Sequence, residues 1–265
     1  MIHLIPAVKH METYDQPFSG KAVCYEETGI DKRLLSAAKK LPFDPSGTPL
    51  QICIDADSGE GYELTVSQDK ITVHAEGVSG AFYAIQTLRQ IFKSPEIPCL
   101  FIKDWPDFEH RGFYHDVTRG KIPTVESIKQ LIDDMAYYKL NSLQLYVEHT
   151  FAFRQYRSVS EKIGYLTKEE LLEIGAYCKE NFIEFIPSLS TFGHLFELLQ
   201  LPEYQHLRVL KDYQPQANFW KDRMSHHTID PENPESIALN EDLIASISPA
   251  LKASGLTFAV MKHSI

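Results

Sequence analysis

Residues 104–153, DWPDFEHRGFYHDVTRGKIPTVESIKQLIDDMAYYKLNSLQLYVEHTFAF, constrain the fold of this chain more than any other stretch. They read as strand, helix, strand. Residues 111–117 are strand-like. Thr124 then supplies a helix N-cap ahead of an apolar stripe formed by Val125, Ile128, Leu131, Ile132 and Met135. Residues 143–147, LQLYV, form a short apolar run suited to a strand buried on both faces. Two strands joined by such a helix are parallel, and in a parallel α/β barrel the chemistry sits at the C-terminal ends of the strands.

The pattern continues downstream. Thr167-Lys168-Glu169-Glu170 is a capping box, and Leu171, Ile174, Gly175 and Cys178 follow on one helical face. Residues 183–189 (IEFIPSL) read as a third strand. Residues 194–199 start another helical piece, and Asn233-Pro234-Glu235 opens a last helix with proline at its first position. Strand–helix units of about 35 to 45 residues fit a (β/α) barrel or an open doubly wound sheet. No GxGxxG or Walker loop follows a strand, which weighs against nucleotide binding.

The first hundred residues read as a separate small α/β domain. Residues 50–55, 62–66 and 70–75 are strand candidates, the last two separated by the turn formers Ser67, Gln68 and Asp69. Gly80 opens a helix whose Ala81, Ala84, Ile85, Leu88 and Ile91 can cover the dry side of that sheet. Pro95 and Pro98 end it, and the following residues lead into the next unit. The expected fold is α/β: a small α/β sandwich domain at 1–104, then an incomplete (β/α)8 TIM barrel at 105–265.

The formal net charge of −10 argues against nucleic acid or an anionic membrane as partner. Cys24, Cys53, Cys99 and Cys178 are scattered without a CxxC pair, as free thiols in a reducing compartment would be. The opening MIHLIPAVKH is too short an apolar run for a signal peptide, and no run of about 18 apolar residues occurs. A cytoplasmic location is expected.

Three strand ends carry chemistry-bearing groups: His115, Asp116, Thr118 and Arg119 after the first, Glu148 and His149 after the second, residues 188–194 after the third. Singly, each reads as a satisfied polar group. Jointly they mark the active face of a barrel. His110, His115, His149 and His194 could ligate zinc, but no HExxH or HxH spacing supports a metal site. The doublet His226-His227 lies in a polar connection and reads as surface.

FEHRGFYHDVTRG, then KLN at residues 139–141, then LQLYVE, resembles the family 20 glycoside hydrolases, the β-N-acetylhexosaminidases. Barrels of that family open with Arg-Gly, then Asp-x-x-Arg, then Lys-x-Asn before the second strand. The preceding residues 61–92, with Gln86, Thr87 and Leu88 in a glycine-led helix, resemble the small domain ahead of that barrel. The resemblance implies that Arg111 hydrogen-bonds sugar hydroxyls, a task suited to a planar guanidinium. It implies that Asp116 and His194 support the catalytic acid, and that Glu148 and His149 contact sugar. The sequence departs from the family where His-x-His…Asp gives way to Gln144-Leu145-Tyr146-Val147-Glu148. The implied substrate is an N-acetylhexosamine-containing glycan, with no cofactor. The implied chemistry is retaining hydrolysis in which the substrate's own 2-acetamido oxygen attacks the anomeric carbon. A Glu protonates the leaving oxygen and an adjacent Asp orients the acetamido group, both at the end of strand four.

That Asp-Glu pair does not occur in this chain, and the roughly 160 residues from Asp104 fall short of the about 250 of a typical barrel. The final residues carry a further signal. Met is encoded only by ATG and both Lys codons begin AA, so Met261-Lys262 read from the third base gives GAA, which is Glu. In the same frame Val260 contributes to Asp, Asn, His or Tyr, and residues 256–264 can encode Asn-Ile-Cys-Cys-Asp-Glu-Thr-Phe. A frame slip between about Ser236 and Leu256 is therefore expected, and no turnover by this chain alone. Two other readings stand beside the hydrolase: a non-catalytic glycan-binding protein, and a small α/β protein with unrelated metal chemistry.

Overall fold

The computed structural model describes residues 2–56, 58–211, 227–254 and 259–260. The chain folds as two compact units. The first runs to Arg111 and takes in Ile132–Asn141 and Glu180–Ile183; the second holds Gly112–Leu131, Ser142–Lys179 and the residues from Glu184 onward.

The first unit contains β1 (His10–Pro17), β2 (Val23–Cys24), α1 (Lys32–Ala38), β3 (Thr48–Ile54), β4 (Tyr62–Val66), β5 (Ile71–Ala75), α2 (Val78–Ile91) and β6 (Pro98–Asp104). The strands form one mixed sheet in the order β1-β6-β4-β5-β3-β2. Alternation decides its faces: Tyr62, Leu64, Val66, Ile71, Val73 and Ala75 are buried with Ala81, Ile85 and Leu88 of α2. On the wet face Lys103 donates to Glu63 directly across from it, 2.8 Å away. Gly80 is required because a Cβ there would meet the Gly61 carbonyl oxygen at 2.5 Å.

The three strands and one helix expected in this region are present, but the sheet has six strands, and two of the additions correct the sequence reading. Every residue of β1 is exposed, so no buried alternate marks its period. Residues 98–104, expected to be a connection, form β6, whose Cys99, Leu100 and Ile102 are buried and which pairs antiparallel with β1 and β4. Pro98 stands at its first position, where a missing N–H is tolerated.

The second unit contains β7 (Gly112–Asp116), α3 (Val125–Tyr137), β8 (Ser142–Tyr146), α4 (Arg157–Ile163), α5 (Lys168–Glu180), β9 (Glu184–Leu189), α6 (Phe196–Leu199), α7 (Pro234–Ser254) and β10 (Ala259–Val260). All four strands are parallel, in the order β10-β9-β8-β7. That is the beginning of a barrel wound strand by strand, with helices between. The helix starts follow local chemistry. Thr167 and Glu170 exchange the two bonds of a capping box, at 2.7 and 3.1 Å. The Asn233 side chain accepts from the Glu235 N–H at 3.0 Å, ahead of α7.

Candidate functional site

β7, β8 and β9 end at Asp116, Tyr146 and Leu189, and their parallel register places all three ends on one edge of the sheet. The residues just beyond these ends meet around one ion pair. Arg119 donates from Nη1 to Glu148 Oε2 at 2.7 Å. The Glu148 side chain has no accessible surface, whereas that of Arg119 is 37% exposed. The carboxylate is well satisfied: Tyr146 OH donates to the same oxygen at 3.3 Å, and Thr118 Oγ1 lies 3.4 Å from it. Arg119 also donates to Thr118 Oγ1. Its Nε stands 3.8 Å from Asp116 Oδ2, and its Nη2 is 3.4 Å from His194 Nδ1.

The partners are themselves held. Asp116 Oδ1 accepts from the Thr118 N–H at 2.8 Å and from its hydroxyl at 2.6 Å. Tyr146 shares a hydrogen bond with Ser190, and its ring lies under the Arg119 guanidinium at 5.9 Å. The His194 N–H donates to His227 Nδ1 at 2.9 Å, which makes that nitrogen an acceptor. His227, expected at the surface, is half-buried against His194; His226 lies outside the described residues. Of the four non-glycine residues with left-handed backbone among the described residues, two belong to this site, Glu148 at φ 29° and His194 at φ 59°; the others are Lys139 and Phe182. For residues with a Cβ such conformations cost free energy and cluster at functional sites.

The electrostatics of Glu148 follow from this packing. Burial by itself pushes its pKa up. The imidazole of His149 and the guanidinium of Arg119 outweigh it and hold the carboxyl down at about 2. His149 Nδ1 sits 3.4 Å from Glu148 Oε1, on the side of the carboxylate away from Arg119's bond to Oε2. A proton donor needs the opposite shift, toward neutral pH. Glu148 is thus a permanent anion that fixes Arg119.

A cleft of about 630 Å³ opens beside this group, lined by Thr118, Arg119, Gly120, His149, Thr150 and Glu197 among others. Its size is that of small-molecule sites.

The structure thus gathers Asp116, Glu148, His149 and His194, with Arg119 at the centre. Asp116 and His194 are linked through that guanidinium. Arg111 is not part of this group. It belongs to the first unit, where Nη2 lies 2.7 Å from Glu60 Oε2, Nε donates to the Lys139 carbonyl at 2.8 Å, and Nη1 donates to the Phe108 carbonyl at 2.7 Å. Arg119 was visible in the sequence as the last residue of Asp-x-x-Arg; what hid its place was the bond to a carboxylate 29 positions away. Among the described residues no three His, Cys, Asp or Glu side chains gather as a metal site would require. None of the described helices is long and apolar enough to cross a membrane.

Two family models match the chain: Glycosyl hydrolase family 20, domain 2, over residues 2–105, and Glycosyl hydrolase family 20, catalytic domain, over residues 108–258. A beta-hexosaminidase of Akkermansia muciniphila is 34% identical over 158 residues, 51% of this chain and 32% of the relative. The N,N'-diacetylchitobiase of Vibrio harveyi is 26% identical over 222 residues, 71% of this chain and 24% of the relative. Among solved structures, the GH20 exo beta-N-acetylglucosaminidase from Vibrio harveyi, in complex with N-acetylglucosamine, superposes with a TM-score of 0.74 at 23% identity, covering 93% of this chain and 45% of that one. The GH20 beta-N-acetylhexosaminidase from Streptomyces coelicolor A3(2) gives 0.74 at 21% identity, covering 93% and 57%. The aligned part of the chain spans 32% and 24% of the length of these two curated relatives.

Proposed function

Because the chain belongs to glycosyl hydrolase family 20, whose catalytic-domain model matches residues 108–258, we propose that it carries the sugar-binding start of a β-N-acetylhexosaminidase-type glycoside hydrolase. The whole enzyme would release terminal β-linked N-acetylhexosamine by substrate-assisted retaining hydrolysis. The observation that carries this reading is the Arg119 guanidinium, fixed from behind by Glu148 and exposed on the cleft side. A planar fork of donors held in one orientation suits the paired hydroxyls of a pyranose. The contact expected of Arg111 passes in this reading to Arg119, because the donors of Arg111 are engaged by Glu60 and main-chain carbonyls. Glu148 acts through Arg119, His149 walls the cleft, and Asp116 and His194 flank the guanidinium. A reducing, cytoplasmic setting agrees with four cysteines that form no disulfide.

The acid pair belongs, in this reading, to the end of strand four. β10 pairs with β9 in the fourth position of the parallel sheet, Ala259 opposite Ser188 and Val260 opposite Leu189. Met261 and Lys262 lie outside the described residues. The alternative frame would put Asp-Glu directly after that strand, which supports a frame slip upstream of it. Sequencing the gene past the codon for Ile265 tests this; an early stop in the alternative frame sinks it.

Turnover of a chromogenic N-acetylglucosaminide is expected from a chain with the alternative frame restored and not from these 265 residues. Turnover by the 265-residue chain overturns the assignment of the acid. Binding without turnover in both chains favours the non-catalytic glycan-binding protein instead.

A further inference from the structure

The main chain at His227 is held from two sides. The Leu195 N–H donates to the His227 carbonyl at 2.9 Å, and the Ile229 N–H donates to the Phe192 carbonyl at 3.0 Å. Opposite them, the Val209 N–H donates to the Thr228 carbonyl at 3.1 Å and the Asp230 N–H to the Leu207 carbonyl at 2.8 Å. Ile229 is wholly buried and anchors the segment in the core. None of these four bonds involves the imidazole. They place residues 227–230 beside the loop after β9 whatever side chain stands at 227.

The imidazole adds a bond of another kind. Its Nδ1 accepts, at 2.9 Å, from the N–H of His194, the residue with left-handed backbone at φ 59°. A residue with a Cβ stays in that region only where its surroundings fix it. The His194 ring in turn stands with Nδ1 3.4 Å from Arg119 Nη2, and its centroid lies 6.2 Å from that of Tyr146. A guanidinium only donates, so the nitrogen facing it is an acceptor. Glu148 grips Nη1 from behind, and His194 meets the other arm of the same fork. A forked donor keeps its plane when the residues that touch it are themselves locked by further hydrogen bonds.

We propose that His227 is a positioning residue of the Arg119 site: its neutral imidazole, protonated on Nε2, fixes the His194 turn and through it the second arm of the Arg119 guanidinium. The expected effect on ligand affinity rests on the sugar-binding reading of that cleft; the effect on Arg119 does not. Asparagine can replace the bond, because its Oδ1 takes the place of Nδ1 on Cγ. Leucine matches the branching and cannot accept.

The 265-residue chain and these two variants test the proposal. Nitrogen-15 NMR of the parent at pH 8 should show His227 with a bare Nδ1 and a protonated Nε2; the opposite tautomer overturns the assignment. Titration with N-acetylglucosamine should give an affinity roughly tenfold weaker for His227→Leu and within about twofold of the parent for His227→Asn. Urea midpoints of both variants should stay near the parent's, since the four main-chain bonds remain. Midpoints that fall in both would make His227 a core residue and overturn its positioning role. So would a leucine variant with parental affinity, or an asparagine variant as weak as leucine. The Arg119 Nε–H signal reads the mount without any sugar: it should exchange faster with water in His227→Leu and not in His227→Asn. That result in a chain that binds no sugar would keep His227 as the support of Arg119 and remove the sugar reading of the cleft. An unchanged signal in His227→Leu refutes the positioning role.

Discussion

Arg119 and Glu148 form a 2.7 Å ion pair in which one partner is wholly buried and the other is the exposed tip of the site. The asymmetry makes the pair a mount for a guanidinium. It also means that the two residues answer differently to substitution.

Arg119→Ala leaves the Glu148 carboxylate buried without its cation. A loss of about 2 kcal/mol is expected, low in the range for broken buried pairs because Arg119 is partly wet. Arg119→Lys should restore most of the stability, and little sugar affinity, because an ammonium lacks the planar fork. Urea unfolding and sugar titration on the same samples read both; equal affinity for the Lys variant would contradict the role given to the fork.

The depressed pKa of Glu148 predicts a pH-dependent stability. Its folded value of about 2 lies below the ordinary 4.5, so the stabilisation is fully present above pH 4.5 and is lost as pH falls from there toward 2. Glu148→Gln should flatten this part of the urea-midpoint profile. An unchanged slope in the variant would assign the acid sensitivity to other groups.

In the first unit, Lys139 Nζ donates to Asp104 Oδ2 and to Tyr62 OH, both at 2.8 Å, with side chains of the ion pair 8% and 10% exposed. Burial lowers the Lys139 pKa and Asp104 opposes that shift. Lys139→Met alone should cost about 3 kcal/mol, and pairing it with Asp104→Asn should recover a good part of that loss. Strict additivity in the double-mutant cycle would show that the two charges are not coupled.

The capping box of α5 offers a local test. Thr167→Ala should destabilise by about 1 kcal/mol, since the Glu170 N–H loses its acceptor. A change within measurement error would mean that this helix end frays in solution.

Cysteine labelling reports the packing. Burial pushes the Cys178 thiol up to about 12, while Cys24 and Cys53 are only partly buried. Iodoacetamide at pH 8 should label Cys24 and Cys53 in the native protein, with Cys178 modified only after urea is added. Mass spectrometry of the native digest would contradict the packing of α5 if Cys178 were alkylated early.

The parts of the fold legible in the sequence are those whose cause is local. Tyr62 to Val66 alternates because one face is wet, and Thr167 announces α5 because its hydroxyl and Glu170 complete each other within one turn. β1 was illegible because its residues are exposed on both faces and its place is set by β6, some ninety positions away. The site divides the same way. Asp116, Glu148, His149 and His194 were readable as strand-end groups. Their convergence on Arg119 was not, because it depends on which strands lie side by side. Nor did Glu148 and His194 advertise their left-handed backbone, since neither is the glycine that usually marks it.

Those two backbone angles set opposing demands within one site. At positions 148 and 194 a glycine would relieve the backbone, but at 148 it would also strip Arg119 of its buried carboxylate, so the strain that the chain tolerates there is the other side of the bond that holds the guanidinium still.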